Sequence, residues 1–372
     1  MQEDFHYYAT YCAAYIAGYS HAESLDIAYS AQFVDLCSKS LLSGIHAPLN
    51  AATTQLKLEL MDTVTDIIGL QEITRIWSAF HFLPQDLYVN KKHRTKRFMY
   101  KYRLICGPNG DLLVDTVSLA KDKTLQAVGI AMHVLADTWA HRYFAGTPSL
   151  VMNSLSYDTF ELIREGEEVR EQKITFRHSA SAPDDLENSI YTNTIYRSNE
   201  NSIMNLGHGR CGHLPDYSFI TYRYLPSWGE YKEIVKDNPS DYKHAFCQMI
   251  HALKYLRGDI GEFQKDTYDF EAISSWEEKI DEILKKRQLN ACADWKQFAL
   301  ELSGQEICDF DVEKYLQEYR DASAEEKDMS FIGKFCAAAI AQKSMVTNRI
   351  FSSGNILAGF SKKILHFRKA DK

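Results

Sequence analysis

Apolar positions recur at helical spacing through most of the chain. Tyr7, Tyr11, Ala14, Tyr15 and Gly18 follow one another at steps of three and four, which predicts a helix near the N-terminus. Ser24 can cap a second periodic run through Ala28, Ala31, Gln32 and Asp35, and a third covers about 51–61. In 91–117 the pattern changes. A basic run is followed by Leu104-Ile105-Cys106-Gly107-Pro108-Asn109-Gly110-Asp111, whose turn residues predict a hairpin or irregular loop. Thr124 can cap the next helix, about 125–145, which ends before Gly146-Thr147-Pro148. Helical periodicity fails over 150–225, where Lys173–His178 alternates like a short strand and 207–212 is rich in glycine. It returns at about 241–257, 268–287, 293–303, 311–320 and 328–352. The expectation is one large, mainly α domain over 1–372, with an irregular, partly β insertion at about 150–225 and a helical C-terminal extension at about 241–352.

Composition adds little to that picture and removes some alternatives. Apolar residues make up 45 % of the 372 and charged ones 25 %, with 22 Tyr, 19 Phe and only 8 Pro, as suits a helical globular protein packed with large rings. A net charge of −8 gives no strong nucleic-acid signal and argues against a membrane-attracted surface. Local basic patches occur at Lys91-Lys92-His93-Arg94-Thr95-Lys96-Arg97 and after Lys362. The first residues, MQEDFHYYATYCAAYIAG, lack the basic-then-apolar order of a signal peptide, and no run approaches the ~18 apolar residues of a membrane span, so a cytoplasmic location is expected. Eight scattered Cys with no C-x-x-C pair read as reduced thiols rather than zinc ligands.

The chemistry lies in the segment 127–141. His133, Asp137 and His141 stand at i, i+4 and i+8, and each step of four drifts by only about 40° on a helix, so they share one face. Their neighbours Val128, Ile130, Ala131, Val134, Leu135, Ala136 and Trp139 are small or apolar, so the polar stripe is expected to be buried. A buried carboxylate between two imidazoles needs compensation, which a divalent cation supplies. Alone, the stripe reads equally as a hydrogen-bond network. Other candidates are His6 beside Asp4, Asp35 at the end of an apolar helix face, and His81 among aromatic residues. His208, Arg210, His213 and Asp216 lie in the glycine-rich 205–216 stretch. Gly207-x-Gly209-x-x-Gly212 formally matches a dinucleotide loop, but no clean strand precedes it and Leu214-Pro215 opposes the helix that should follow. P-loop, nucleophile-elbow and H-E-x-x-H signatures are absent, and no pair of Glu-x-x-His motifs occurs.

This order of residues resembles the zinc-dependent phospholipase C and single-strand nuclease superfamily, an all-α fold around three zinc ions. The opening Met1-Gln2-Glu3-Asp4-Phe5-His6-Tyr7-Tyr8 also resembles an uncharacterised bacterial family that begins Met-Gln-x-Asp-x-His-Tyr-Tyr. The superfamily resemblance implies a multi-helix phospholipase C-like bundle. In it Asp35, His81, His133 and Asp137 would hold one ion; His141 with His213 and Asp216, or with His208, a second; and His6, with Asp137 bridging, a third. The chain departs in two places. That superfamily uses a processed N-terminal residue as a ligand, for which Asp4 would substitute here, and four residues from Asp137 to His141 is a shorter step than usual. The implied function is a metal-dependent hydrolase of a phosphoester in a small molecule, lipid or nucleotide. Zinc is the expected ion, with manganese and iron open. Asp35 or Asp4 would orient the water, and Arg210 or the 91–97 run would hold the phosphate. The competing expectation is a non-catalytic helical protein whose His/Asp cluster is a structural metal site or buried polar network supporting partner binding. Oligomeric state is not legible.

Overall fold

The structure is a computed structural model that describes all residues except 64–65, 156–157, 167, 179–181, 194–198 and 360–372. It opens with a π-helical turn, Asp4–Ala9. The first helices are α1 (Thr10–Ile16), α2 (His21–Phe33), α3 (Lys39–Gly44), α4 (Lys57–Thr63), α5 (Ile67–Phe80), α6 (Lys96–Tyr102), α7 (Asp111–Ala120), α8 (Leu125–Ala140) and α9 (Leu150–Asn153). Strands β1 (Phe160–Glu165), β2 (Glu168–Lys173), β3 (Thr175–Arg177), β4 (Ile190–Thr192), β5 (Thr221–Tyr224) and β6 (Ile234–Asp237) follow. Helices α10 (Asn238–Arg257), α11 (Glu277–Lys285), α12 (Cys292–Ser303), α13 (Glu313–Asp321), α14 (Ala324–Lys327) and α15 (Phe331–Ser352) complete the described chain. The protein is therefore mainly α with a small β insertion. Among the described residues no helix is long and apolar enough to cross a membrane.

Local chemistry sets the helix ends. Ser20 and Glu23 form a capping box on α2. Asp66 accepts from Gly69 N on α5 at 2.7 Å, and Thr124 caps α8. Pro239 in the first turn of α10 lets that helix begin at Asn238, earlier than the periodicity predicts. The predicted 51–61 helix starts only at Lys57, because the amides of Thr53 and Thr54 turn to the Cys37 carbonyl and hold that stretch extended. The predicted 268–287 helix is a short 3-10 turn, Glu271–Ile273, and then α11. Residues 104–111 form no hairpin. Ile105 pairs with Ala145 and Cys106 with Pro84 as isolated bridges. In the insertion an antiparallel sheet runs β2-β1-β5-β6, and β3 pairs with β4 in parallel. The basic residues after Lys362 lie outside the described residues.

α8 is the axis of the core. From Val128 to Ala140 it is buried on every side, the pattern of a helix enclosed by others, and α2, α10, α7 and α15 pack around it. The tightest approach is at Gly129, where an added Cβ would stand 2.4 Å from the Ile27 carbonyl oxygen and 2.4 Å from Ser30 Cβ. The missing side chain brings the last turn of α2 against the α8 face that carries His133. Gly129→Ala is therefore expected to push α2 away and to cost about 1–3 kcal/mol, as overpacked cores do. Urea unfolding measures this; an unchanged midpoint would sink the close-packing account.

Candidate metal centre

Separate elements bring the polar groups to one place. His133 and Asp137 project from α8, and His141 is its C-cap. His81 is the C-cap of α5, Asp35 lies two residues beyond α2, and His6 sits in the π-helical turn. His208 comes from the glycine-rich loop and Asp216 from a 3-10 turn, Leu214–Asp216. The structure thus brings together His6, Asp35, His81, His133, Asp137, His141, His208 and Asp216 as three adjoining groups able to hold a metal ion: His6/His133/Asp137, Asp35/His81/His133 and His141/His208/Asp216.

The hydrogen bonds fix how these rings face. A carbonyl oxygen can only accept, so a ring nitrogen bonded to one carries the proton. His133 Nδ1 donates to the Ala31 carbonyl at 2.9 Å, in the last turn of α2, where helix carbonyls lack intrahelical partners. His81 Nε2 donates to the Thr53 carbonyl at 3.1 Å. His141 Nδ1 donates to the His81 carbonyl at 2.7 Å, and His208 Nδ1 to that of Gly212 at 2.8 Å. Where such a ring is neutral, its other nitrogen is a lone pair turned toward the carboxylates. His81 Nδ1 and His133 Nε2 stand 3.3 Å apart and lie 3.3 and 3.1 Å from Asp137 Oδ2. Asp35 Oδ1 is 3.7 and 4.0 Å from the same two nitrogens. His141 Nε2 lies 3.3 Å, and His208 Nε2 3.7 Å, from Asp216 Oδ1. His6 Nε2 is 3.2 Å from Asp137 Oδ1 while its ring stacks on His133, so the two oxygens of Asp137 face different rings.

The amino nitrogen of Met1 is a further member that residue spacing did not suggest. It lies 2.9 Å from Asp137 Oδ1, 3.2 Å from His141 Nε2 and 3.3 Å from Asp216 Oδ1. Asp4, expected above to substitute for a processed N-terminal ligand, does not reach this position. Asp4 Oδ2 instead accepts from Ala291 N at 2.8 Å at the start of α12, and Asp4 joins none of the three groups. His213 is also outside them. Its side chain is 59 % exposed, and its Nδ1 lies 3.2 Å from Asp216 Oδ2, so it orients that carboxylate from the mouth. Arg210, half-buried, donates to Asn205 Oδ1 at 2.8 Å. Lys91 and Arg94 of the basic run pair with Glu230. The loop glycines serve packing: a Cβ on Gly207, at φ 52°, would strike the Phe82 ring, and one on Gly212, at φ 57°, the Thr192 carbonyl. Phe82 in turn stacks on His141.

Burial dominates the electrostatics. It pulls His6, His133 and His208 down to about 4, which keeps them neutral and able to act as ligands. Burial also opposes charge on Asp137 and Asp216, yet His141 and the amine beside the first, and His208 and the amine beside the second, hold both well below the usual carboxylate range. Burial works against charge on the Met1 amine too, but Asp137, Asp216 and Asp35 outweigh it and lift the amine to about 11. Burial raises Asp35 and Asp4. His213 is raised by its hydrogen bond to Asp216.

These features define a mainly helical protein with a buried His/Asp centre able to hold metal. The chain belongs to a family of unknown function, DUF6765, whose model matches residues 1–350. No curated protein and no solved structure matches the chain.

The depressed imidazoles set a pH dependence. An unfolded chain takes up these protons near pH 6.5 and the folded chain only near 4, so between those values falling pH favours unfolding through His6, His133 and His208. The raised carboxyls of Asp4 and Asp35 work in the opposite sense, so the direct readout is the rings themselves. Long-range ¹H–¹⁵N spectra of metal-free protein at about pH 5.5 should show His6, His133 and His208 neutral, with His133 and His208 each protonated at Nδ1; three imidazolium signals there would overturn the assignment.

Proposed function

We propose that this protein is a metal-dependent hydrolase that cleaves a phosphoester with water, through two or three divalent ions held by the three groups. One observation carries the reading. His81 Nδ1, His133 Nε2, Asp137 Oδ2 and Asp35 Oδ1 converge as acceptors, the two ring nitrogens 3.3 Å apart with their protons spent on carbonyls. Four converging lone pairs, three of them on buried side chains, repel one another unless a cation lies among them. Imidazole and carboxylate donors suit zinc, and the outer carbonyl bonds are those expected around metal-ligating histidines. The order of ligands along the chain supports a distant relationship to the zinc-dependent phospholipase C and nuclease superfamily.

When bound, such ions would lower the pKa of a coordinated water toward about 7 and polarise a phosphoryl oxygen. The residues do the rest. Asp137, with one oxygen toward His6 and the other toward His133, would help to hold an ion with both rings. Asp35 keeps 31 % side-chain exposure among otherwise buried donors, so it marks the substrate side and would accept the proton of the attacking water. Arg210 stays the candidate to hold the substrate phosphate.

The burial of His6, His133 and Asp137, at 0, 0 and 1 %, favours a second reading for that group, a structural ion closed to water. Metal analysis of the purified chain and turnover of bis(p-nitrophenyl) phosphate separate the readings. Hydrolysis is expected at two or more bound equivalents. His133→Ala is expected to lose more than the ~10–100-fold that removal of an outer partner costs. Stoichiometric metal without turnover of any phosphoester would favour the structural reading, and protein without stoichiometric metal would sink both.

A further inference from the structure

A cavity that shares no residue with the centre opens beside Tyr143, in the segment that follows α8. It is a cleft of about 940 Å³ whose walls include Tyr102, Tyr143, Trp228 and Asp86. Tyr102 and Trp228 meet edge to face with centroids 5.7 Å apart, and Tyr143 lies 6.3 Å from Trp228. The backbone is strained on both sides. Tyr143 holds φ 81° without being glycine, fastened by its amide to the Cys106 carbonyl at 2.9 Å. The loop carrying Trp228 passes through Glu230 and Tyr231 at φ 56° and 64°. Lys91 and Arg94 hold that loop by pairing with Glu230 at 3.7 and 3.1 Å, which gives the basic run a local role.

Two features specify what the cleft takes. The first is the resident cation: the Lys91 ammonium stands 4.6 Å from the Tyr102 ring centre and 5.9 Å from that of Trp228. Ring faces carry the negative side of the quadrupole, so this corner already receives positive charge. The second is the charge left on the walls. Asp111 is matched by Lys265 at 2.5 Å and Asp115 by Arg349 at 2.7 Å, while Asp86 lines the same cleft with one oxygen accepting from the amides of Tyr88 and Val89. Aromatic faces with one surplus carboxylate disfavour anions and suit a compact organic cation.

We propose that this cleft binds a small organic cation of the alkylammonium class, received on Tyr102 and Trp228 with Asp86 as its counter-charge, while the Tyr143 ring is already taken by the Arg142 guanidinium 4.6 Å from its centre. Lys91 holds the place when the ligand is absent. The inference stands apart from the metal reading, since no group of the His/Asp centre lines the cleft.

Calorimetric titration of the full chain with tetramethylammonium, against tert-butanol as a neutral probe of similar size, tests it. Saturable binding of tetramethylammonium is expected, about tenfold or more tighter than tert-butanol. Trp228→Ala should weaken it by about tenfold, while Trp228→Phe, which keeps a ring face, should stay within about threefold. Asp86→Asn should weaken it and Lys91→Met should tighten it. No saturation by about 100 mM tetramethylammonium, or equal binding of the neutral probe, would overturn the proposal. Unchanged binding in a folded Trp228→Ala variant would do the same, and if that variant does not fold, unchanged binding in Asp86→Asn decides against it.

Discussion

Around the centre, histidine after histidine gives one ring proton to a main-chain carbonyl, and the rest of the site depends on those bonds. The acceptors on Ala31, Thr53, His81 and Gly212 belong to different parts of the fold. They are polar groups that would otherwise want partners of their own, so each bond satisfies a donor and an acceptor in the dry interior. It also chooses the tautomer, and with it the lone pair that points inward. A free imidazole could turn either nitrogen to a ligand; these cannot without leaving a buried carbonyl bare. The site's geometry is therefore a property of the backbone packing, held by the same contacts that hold α2, α5 and α8 together.

That arrangement explains why a helix as apolar as α8 can carry a polar stripe through the core. Asp137 is 1 % exposed, yet the Met1 amine and the imidazoles of His141 and His133 hold it ionised. An uncompensated carboxylate there would cost several kcal/mol. Phe82 on His141 and Trp77 beside His81 close the polar core with aromatic faces rather than with further hydrogen bonds.

Much of this was legible in the residue pattern, for reasons that differ by element. α8, α10, α12 and α15 announce themselves because long amphipathic or fully apolar runs leave no competing period. The stripe His133, Asp137 and His141 could be placed on one face from spacing alone. The 51–61 and 268–287 segments misled because tertiary bonds, such as the Thr53 amide to Cys37, override local preference. The partners of the centre were harder to see. Main-chain carbonyls have no letter in a sequence, and an amino group at the first position looks like any other. Asp4, next in line as an acid, was the natural substitute until the π-helical turn placed it against α12. His208 and His213 could not be ranked by spacing; the turn at Leu214–Asp216 decides, turning His213 outward to the mouth.

The π-helical turn has a consequence for how the protein is made. It carries His6 and the Met1 nitrogen, whose partners His141 and Asp216 emerge much later in synthesis. This segment must wait for residues made some 140 to 215 positions later before its buried polar groups find their partners. Long-range closure of this kind is slow, and a half-made centre leaves imidazoles and carboxylates without the partners that satisfy them. Completion of the centre is thus a late event of folding, in an order set by the topology.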